Sequence, residues 1–166
     1  MLGYRRNILR KFAESCWRLW WGDPFDVRFY LVKKTKGIHF KRVLDVGCGA
    51  GIILSEMPEN GDKVGIDISQ ESLRTAKMVA KEALFVMGDI HFMPFRNDIF
   101  DLVLIANSLS KYDFNIKLGM GDKWTPERLL SETYRVLMHN GLLFLTTPNK
   151  WHQAYRLSKK IDCPTL

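Results

Sequence analysis

The run Val43-Leu44-Asp45-Val46-Gly47-Cys48-Gly49-Ala50-Gly51 constrains this chain more than any other stretch. A short apolar segment reaches an acidic residue and then three glycines at every second position. A buried strand that ends in such a turn brings bare backbone up to a ligand where side chains would block it. Sixteen residues past Gly51, Asp67 closes the segment Val64-Gly65-Ile66-Asp67, which repeats the pattern of apolar strand followed by carboxylate. Two such strand ends in succession point to an α/β domain that binds a nucleoside.

The glycine spacing narrows the nucleoside. A dinucleotide fingerprint, G-x-G-x-x-G, needs its third glycine at position 52, which is Ile52. The chain offers G-x-G-x-G instead, and no Lys-Ser or Lys-Thr follows to hold phosphate and magnesium. A pyrophosphate ligand is therefore disfavoured.

Periodicity and punctuation divide the rest. Apolar residues at helical spacing predict a helix over Tyr4–Trp21, broken by Gly22, and Asp23-Pro24 opens a second that Gly37 ends. Strands are predicted at 42–46, 63–66, 84–87, 100–106 and 142–147. Helices are predicted at 52–57, from the Ser69 cap through Glu82, from Thr125-Pro126 to Met138 with Asn140-Gly141 as the stop, and at 151–160. Gly88–Asp98 and Asn107–Trp124 read as connections. The strand at 100–106 is nearly all apolar, as expected of one buried on both faces. Strands alternating with helices predict an α/β fold, a Rossmann-like doubly wound parallel sheet of about five strands.

Four segments, in order, resemble the class I S-adenosylmethionine-dependent methyltransferases. They are the acidic residue and G-x-G-x-G turn from Asp45 to Gly51, then Gly65-Ile66-Asp67-Ile68-Ser69. Next comes Gly88-Asp89-Ile90-His91-Phe92-Met93-Pro94-Phe95 with Asn97-Asp98-Ile99-Phe100-Asp101-Leu102-Val103, and last Arg135-Val136-Leu137 to Gly141 with Leu142–Thr147. The resemblance covers Lys41 to Asn149, about two-thirds of the chain. It implies S-adenosylmethionine as cofactor and S-adenosylhomocysteine as product. It further implies that Gly47, Gly49 and Gly51 let the methionine portion and ribose approach the backbone, with Asp45 under the methionine end. Asp67 would accept from both ribose hydroxyls, Ile68 would pack on adenine, and Asp89 would accept from the exocyclic amine beside the Ile90 backbone. Asn107 would close the pocket near the reacting methyl. Taken singly, Asp67 serves equally well as a helix-cap residue, whereas Asp89 reads first as a turn aspartate and Cys48 as a small turn residue rather than a nucleophile.

The resemblance also divides the chain into an N-terminal helical lid or extension, residues 1–40, and a cofactor-binding domain, residues 41–166, that is incomplete at its C-terminus. The family's sheet usually has seven strands, and 19 residues follow Thr147, too few for a helix and the last two strands. The strand at 142–147 is then expected to present a bare edge for a second copy or a partner. The alternative to an enzyme is a non-catalytic methyltransferase-like module that binds cofactor or a partner only.

Composition bounds the partners. At 166 residues the chain is one domain with a real core, and its 46% hydrophobic and 26% charged residues are ordinary for a globular protein. Three distant cysteines, Cys16, Cys48 and Cys163, argue against a disulfide framework or a zinc site and for the reducing cytoplasm. Residues 1–42 carry net charge +8, residues 43–147 carry −4 and residues 148–166 carry +3. A basic N-terminal segment with Trp17, Trp20 and Trp21 suits peripheral contact with a membrane surface, although packing on the core is the simpler role. Nucleic acid fits less well. The stretch Asn107-Ser108-Leu109-Ser110 lacks the Asn/Asp-Pro-Pro-Tyr/Phe of exocyclic-amine DNA methylases, and Cys163-Pro164 reverses the Pro-Cys of cytosine-C5 enzymes. The expected acceptor is a small or lipid-like molecule. No residue stands out as catalytic; His91, His152, Tyr112 and Asp113 are the candidate bases.

Overall fold

The computed structural model describes residues 27–108 and 125–147. Its strands are β1 (Arg42–Val46), β2 (Asp62–Asp67), β3 (Leu84–Met87), β4 (Phe100–Ala106) and β5 (Leu137–Thr146). Its helices are α1 (Val27–Thr35), α2 (Ile52–Glu56), α3 (Gln70–Val79) and α4 (Pro126–Val136). The strands form one parallel sheet in the order β3-β2-β1-β4-β5. This is the Rossmann-like α/β architecture that the alternating pattern predicts. The expected helices at 4–21 and 151–160, the start of the helix at Pro24, and Tyr112, Asp113, His152, Cys16 and Cys163 lie outside the described residues.

Strand periodicity assigns the two faces. On β1, Val43 joins a cluster with Leu31 and Val32 of α1 and with Ile53 and Leu54 of α2. Leu44 and Val46 point the other way, toward Leu129 and Val136 of α4. On β4, Leu102 and Leu104 take the first face, and Val103 and Ile105 take the second. All four are fully buried, as their unbroken apolar run predicts, and each contributes about 2 kcal/mol of hydrophobic burial. The N-terminal ends of the central strands are tied by a carboxylate. Asp101 of β4 accepts from the backbone N–H of Lys41 (2.6 Å) and Arg42 (3.0 Å).

Helix caps follow the sequence closely. The Ser69 hydroxyl accepts from Ser72 N–H at 3.2 Å, and the Thr125 hydroxyl accepts from Arg128 N–H at 3.1 Å with Pro126 in the first turn. The C-terminal boundaries depart from expectation. Helix α3 ends at Val79 rather than Glu82. Helix α4 ends at Val136, and β5 begins at Leu137, inside the stretch read as helix. Asn140-Gly141 is therefore no helix stop but part of a bulge. The β4 partners of Leu137 and Leu142 are Phe100 and Leu102, so the residues between them loop out of β5. Asn140, at φ 63°, supplies the left-handed backbone that the bulge needs. Pairing with β4 outweighs the local turn signal. Leu142, Leu143 and Leu145 of β5 remain exposed at the sheet edge among the described residues.

One polar network joins α4 to the segment after β3. Glu132, itself buried, accepts from Met93 N–H at 2.8 Å and pairs with Arg135 through both carboxylate oxygens (2.8 and 2.9 Å). The Arg135 guanidinium also donates to the carbonyls of Phe95 (2.7 Å) and Met93 (2.9 Å) and to Asn97 (2.9 Å). It holds the Glu132 carboxyl below the usual carboxylate range. Removing the guanidinium strands a buried carboxylate and two carbonyls. Arg135→Ala is thus expected to lower unfolding stability by about 2–3 kcal/mol, seen as a lower urea midpoint. A loss under about 0.5 kcal/mol, the size of an ordinary surface substitution, would show that the network carries no weight.

Candidate functional site

The sequence-predicted site residues collect at the C-terminal ends of the parallel strands. Helices α1 and α2 lie on one face of the sheet and α4 on the other, so the chain changes side between β1 and β4. A crevice opens at such a switch point, and ligands of open α/β sheets lie there. Asp45 and the glycine turn end β1, Asp67 ends β2, Gly88 and Asp89 follow β3, and Asn107 and Ser108 follow β4.

Backbone hydrogen bonds lock these ends together. The N–H groups of Gly47 and Cys48 both donate to the Ile66 carbonyl, at 2.8 and 3.0 Å. Gly88 N–H donates to the Asp67 carbonyl at 3.1 Å, and Asn107 N–H donates to the Thr146 carbonyl at 3.0 Å. Gly47, Gly49 and Gly51 all take positive φ, at 73°, 50° and 72°. At Gly47 a side chain would also collide with the Ser108 hydroxyl, which donates to the Val46 carbonyl at 2.9 Å. At Gly49 the reason differs: a Cβ there would meet nothing within 4 Å. Gly49 lines open space, whereas Gly47 is crowded from below.

Three carboxylates face different surroundings. Asp67 accepts from Gly49 N–H at 2.8 Å through one oxygen and from Ser69 N–H at 2.9 Å through the other. It thus ties the glycine turn to the start of α3, and each oxygen keeps a further lone pair. Asp89 accepts through one oxygen from the His91 backbone N–H (2.8 Å) and meets His91 Nδ1 at 3.0 Å. Asp45 is buried, and neither of its oxygens has a hydrogen-bond partner among the described residues. Burial, reinforced by the charge of Asp67, pushes its carboxyl from the ordinary 3.8 up to about 7. Burial also pushes the Cys48 thiol up, with the charges of Asp45 and Asp67 adding to the effect. Burial of Cys48 thus disfavours the thiolate that a nucleophile needs, in keeping with a small turn residue.

The remaining candidates differ in setting. Ile68 is 60% exposed beside Asp67, an apolar side chain left at the mouth of the crevice. Ile90 is half-buried against the α4 side of the core. Asn107 holds a left-handed backbone at φ 59°, a conformation that asparagine tolerates better than most residues. Its side chain reaches toward the Thr146 hydroxyl at 3.5 Å. His91, a candidate base, is buried and turned to Asp89.

Two contributors were invisible in sequence. Ser108 follows β4 with no distinguishing neighbour, and only the β1–β4 pairing brings it under Gly47. Arg128 reaches across 37 residues to donate from Nε to the His91 carbonyl at 3.1 Å, with its guanidinium 4.6 Å from the Phe92 ring centroid. The spacing Asp89-x-His91 was a usable signal for the turn, since aspartate commonly accepts from the backbone two residues on. Among the described residues no group of His, Cys, Asp and Glu could hold a metal ion, and no helix is long and apolar enough to cross a membrane.

Comparison with known proteins places the fold in a family. Residues 44–145 match the family model described as a methyltransferase domain. The "Ubiquinone biosynthesis O-methyltransferase" of Haemophilus ducreyi is 33% identical over 130 residues, which is 77% of this chain and 54% of that protein. The protein of the same name from Histophilus somni is 29% identical over 161 residues, 90% of this chain and 66% of that protein. The chain thus spans between about half and two-thirds of the length of these curated relatives. An S-adenosylmethionine-dependent methyltransferase from Clostridium acetobutylicum shares the fold with a TM-score of 0.63 at 19% identity, over 81% of this chain and 55% of that one. A TehB-like counterpart from Corynebacterium glutamicum does so with a TM-score of 0.55 at 23% identity, over 82% and 71%. With the family model spanning the glycine turn and every strand end of the crevice, the chain belongs to the methyltransferase domain family, as a class I S-adenosylmethionine-dependent methyltransferase domain.

Proposed function

We propose that this domain binds S-adenosylmethionine across the ends of β1, β2 and β3 and directs its methyl group to a small-molecule acceptor. The observation that carries the reading is the pairing of an open glycine with a stranded acid. Gly49 faces space that no side chain fills, and the buried Asp45 close to it has no partner among the described residues. Buried carboxylates are rarely left so, and the amino-acid end of the cofactor carries an ammonium group that would complete this one.

The other residues fit the rest of the molecule. Asp67 has two free lone pairs for two ribose hydroxyls, and Ile68 offers exposed apolar surface to the base. Among the described residues Asp89 keeps one uncommitted oxygen for the exocyclic amine, with the Ile90 backbone beside it. Gly49 keeps the backbone bare along the methionine portion, whereas Gly47 and Gly51 are held to glycine by the neighbouring Ser108 and by Ala76 and Phe85. Asn107 stands at the switch point between β1 and β4, where the reacting end would lie. When bound, the cofactor supplies a methyl already activated by its sulfonium sulfur. The protein's part is then to bind, align and exclude water. His91, with Nδ1 on Asp89, stays with His152, Tyr112 and Asp113 among the candidate bases for the acceptor.

The acceptor class rests on the relatives named for O-methylation in ubiquinone biosynthesis. A small hydroxylated ring compound of the quinone-precursor kind is our reading. Titration calorimetry with S-adenosylmethionine and S-adenosylhomocysteine tests the binding step, and a screen of catechol-type acceptors tests transfer. Heat with both nucleosides and methylation of a catechol are expected. A folded protein that gives no heat with either would overturn the proposal.

A further inference from the structure

We propose that His91, held in its turn by Arg128, is a positioning residue that makes the site select adenine over hypoxanthine. The inference rests on the nucleoside reading above and concerns what that reading leaves unexplained: a buried histidine and a distant arginine, both aimed at one turn. Asp89 Oδ1 is shared by two groups of His91, the backbone N–H at 2.8 Å and the ring Nδ1 at 3.0 Å. A carboxylate can only accept, so Nδ1 carries the hydrogen and the tautomer is set by this contact. The His91 side chain is 9% exposed, and that of Asp89 is 24% exposed. The ring thus anchors one oxygen from inside the fold while the carboxylate remains reachable from the crevice.

The anchoring has a chemical consequence. With Oδ1 taken, Asp89 presents a single oxygen that can only accept. Adenine offers an amine, a donor, at its exocyclic position. Hypoxanthine has a carbonyl there, which would set two acceptors against each other. A carboxylate free to rotate could instead accept from the ring N–H of hypoxanthine, and its selectivity would fall. Sites built to receive a donor discriminate strongly only when the receiving group is left unpaired by the wrong ligand.

Arg128 keeps the histidine in place. It donates to the His91 carbonyl at 3.1 Å and stacks on Phe92, whose own N–H donates to the Asp89 carbonyl at 3.1 Å. Phe92 is 48% exposed, so core packing alone does not hold the turn. The clamp comes from α4, whose Glu132 also takes the Met93 N–H one residue further on.

The test is the ratio of dissociation constants for S-inosylhomocysteine and S-adenosylhomocysteine, measured by calorimetry on the full chain. The unaltered protein is expected to prefer the adenine form by about 100-fold or more. His91→Leu should cut that ratio by about tenfold, chiefly through tighter binding of the inosine form to the freed carboxylate. His91→Asn, whose amide Nδ2 can stand in for Nδ1, should restore most of it. Arg128→Gln, at an exposed position, should cut the ratio by about threefold. An unchanged ratio in folded His91→Leu, or in Arg128→Gln should the histidine variant not fold, overturns the role of His91. Failure of the unaltered protein to bind S-adenosylhomocysteine overturns the nucleoside reading instead, so the two failures are distinct.

Discussion

Asp67→Ala is expected to weaken binding of S-adenosylmethionine and S-adenosylhomocysteine by about 100-fold or more. Two hydrogen bonds to a carboxylate are at stake, each worth about 1.5–3 kcal/mol, and each 1.4 kcal/mol is about tenfold in affinity. The geometry adds a second loss. Asp67 also receives the N–H groups of Gly49 and Ser69, so the alanine variant releases the glycine turn from the start of α3. Asp67→Asn separates the two contributions, since its amide oxygen can still accept one of those N–H groups but offers the ribose fewer lone pairs. Calorimetry should therefore rank the unaltered protein above Asp67→Asn and Asp67→Ala below both. Equal affinity in all three would remove Asp67 from the site.

The second large effect concerns stability without ligand. The Asp45 carboxyl titrates at about 7 in the folded protein against an ordinary 3.8. Between those values the folded state holds a proton that the unfolded state has lost. Stability must therefore fall as pH rises from about 4 to 7 and level off above. A rise of that size corresponds to a loss on the order of 4 kcal/mol from this group by about pH 8. Asp45→Asn removes the charge and keeps the shape. Its amide still lacks partners, which costs about 1–3 kcal/mol, so a net gain on the order of 2 kcal/mol at about pH 8 is expected. The same variant should lose the rise in stability on acidification from about pH 8 to 5 that Asp45 contributes. Urea unfolding at several pH values measures both. A midpoint under the alkaline condition no higher than that of the unaltered protein would show that Asp45 is not stored as a buried, ionised acid. Under the proposed function this instability is what the cofactor's ammonium relieves, and Asp45→Asn should bind more weakly while unfolding less readily.

These expectations draw unequally on sequence. The glycine turn, Asp67 and Asp89 were legible because each sits at the end of an apolar run, and a parallel sheet brings such ends to one edge whatever the details of packing. The caps at Ser69 and Thr125 were legible because their hydrogen bonds span only three residues. The end of α4 was not. Asn140-Gly141 carries a strong local turn signal, but pairing of Leu142–Thr146 with β4 extends β5 back to Leu137 and turns the signal into a bulge. Local chemistry said only that the backbone can go left-handed at Asn140, and the neighbouring strand decided what that bend is for.

The same distinction separates the parts of the site. By itself the sequence determined the fold class and the ends of β1, β2 and β3, because periodicity and short-range hydrogen bonding act within a few positions; the kind of ligand was legible only through the family resemblance. Tertiary structure alone decided the state of each group. It stranded Asp45 among the described residues, gave both oxygens of Asp67 a backbone N–H partner, set His91 Nδ1 against Asp89, and brought Arg128 and Ser108 to turns they do not adjoin. Burial and long-range contact set the desolvation, pairing and rotamer of a side chain, and these depend on atoms dozens of residues away.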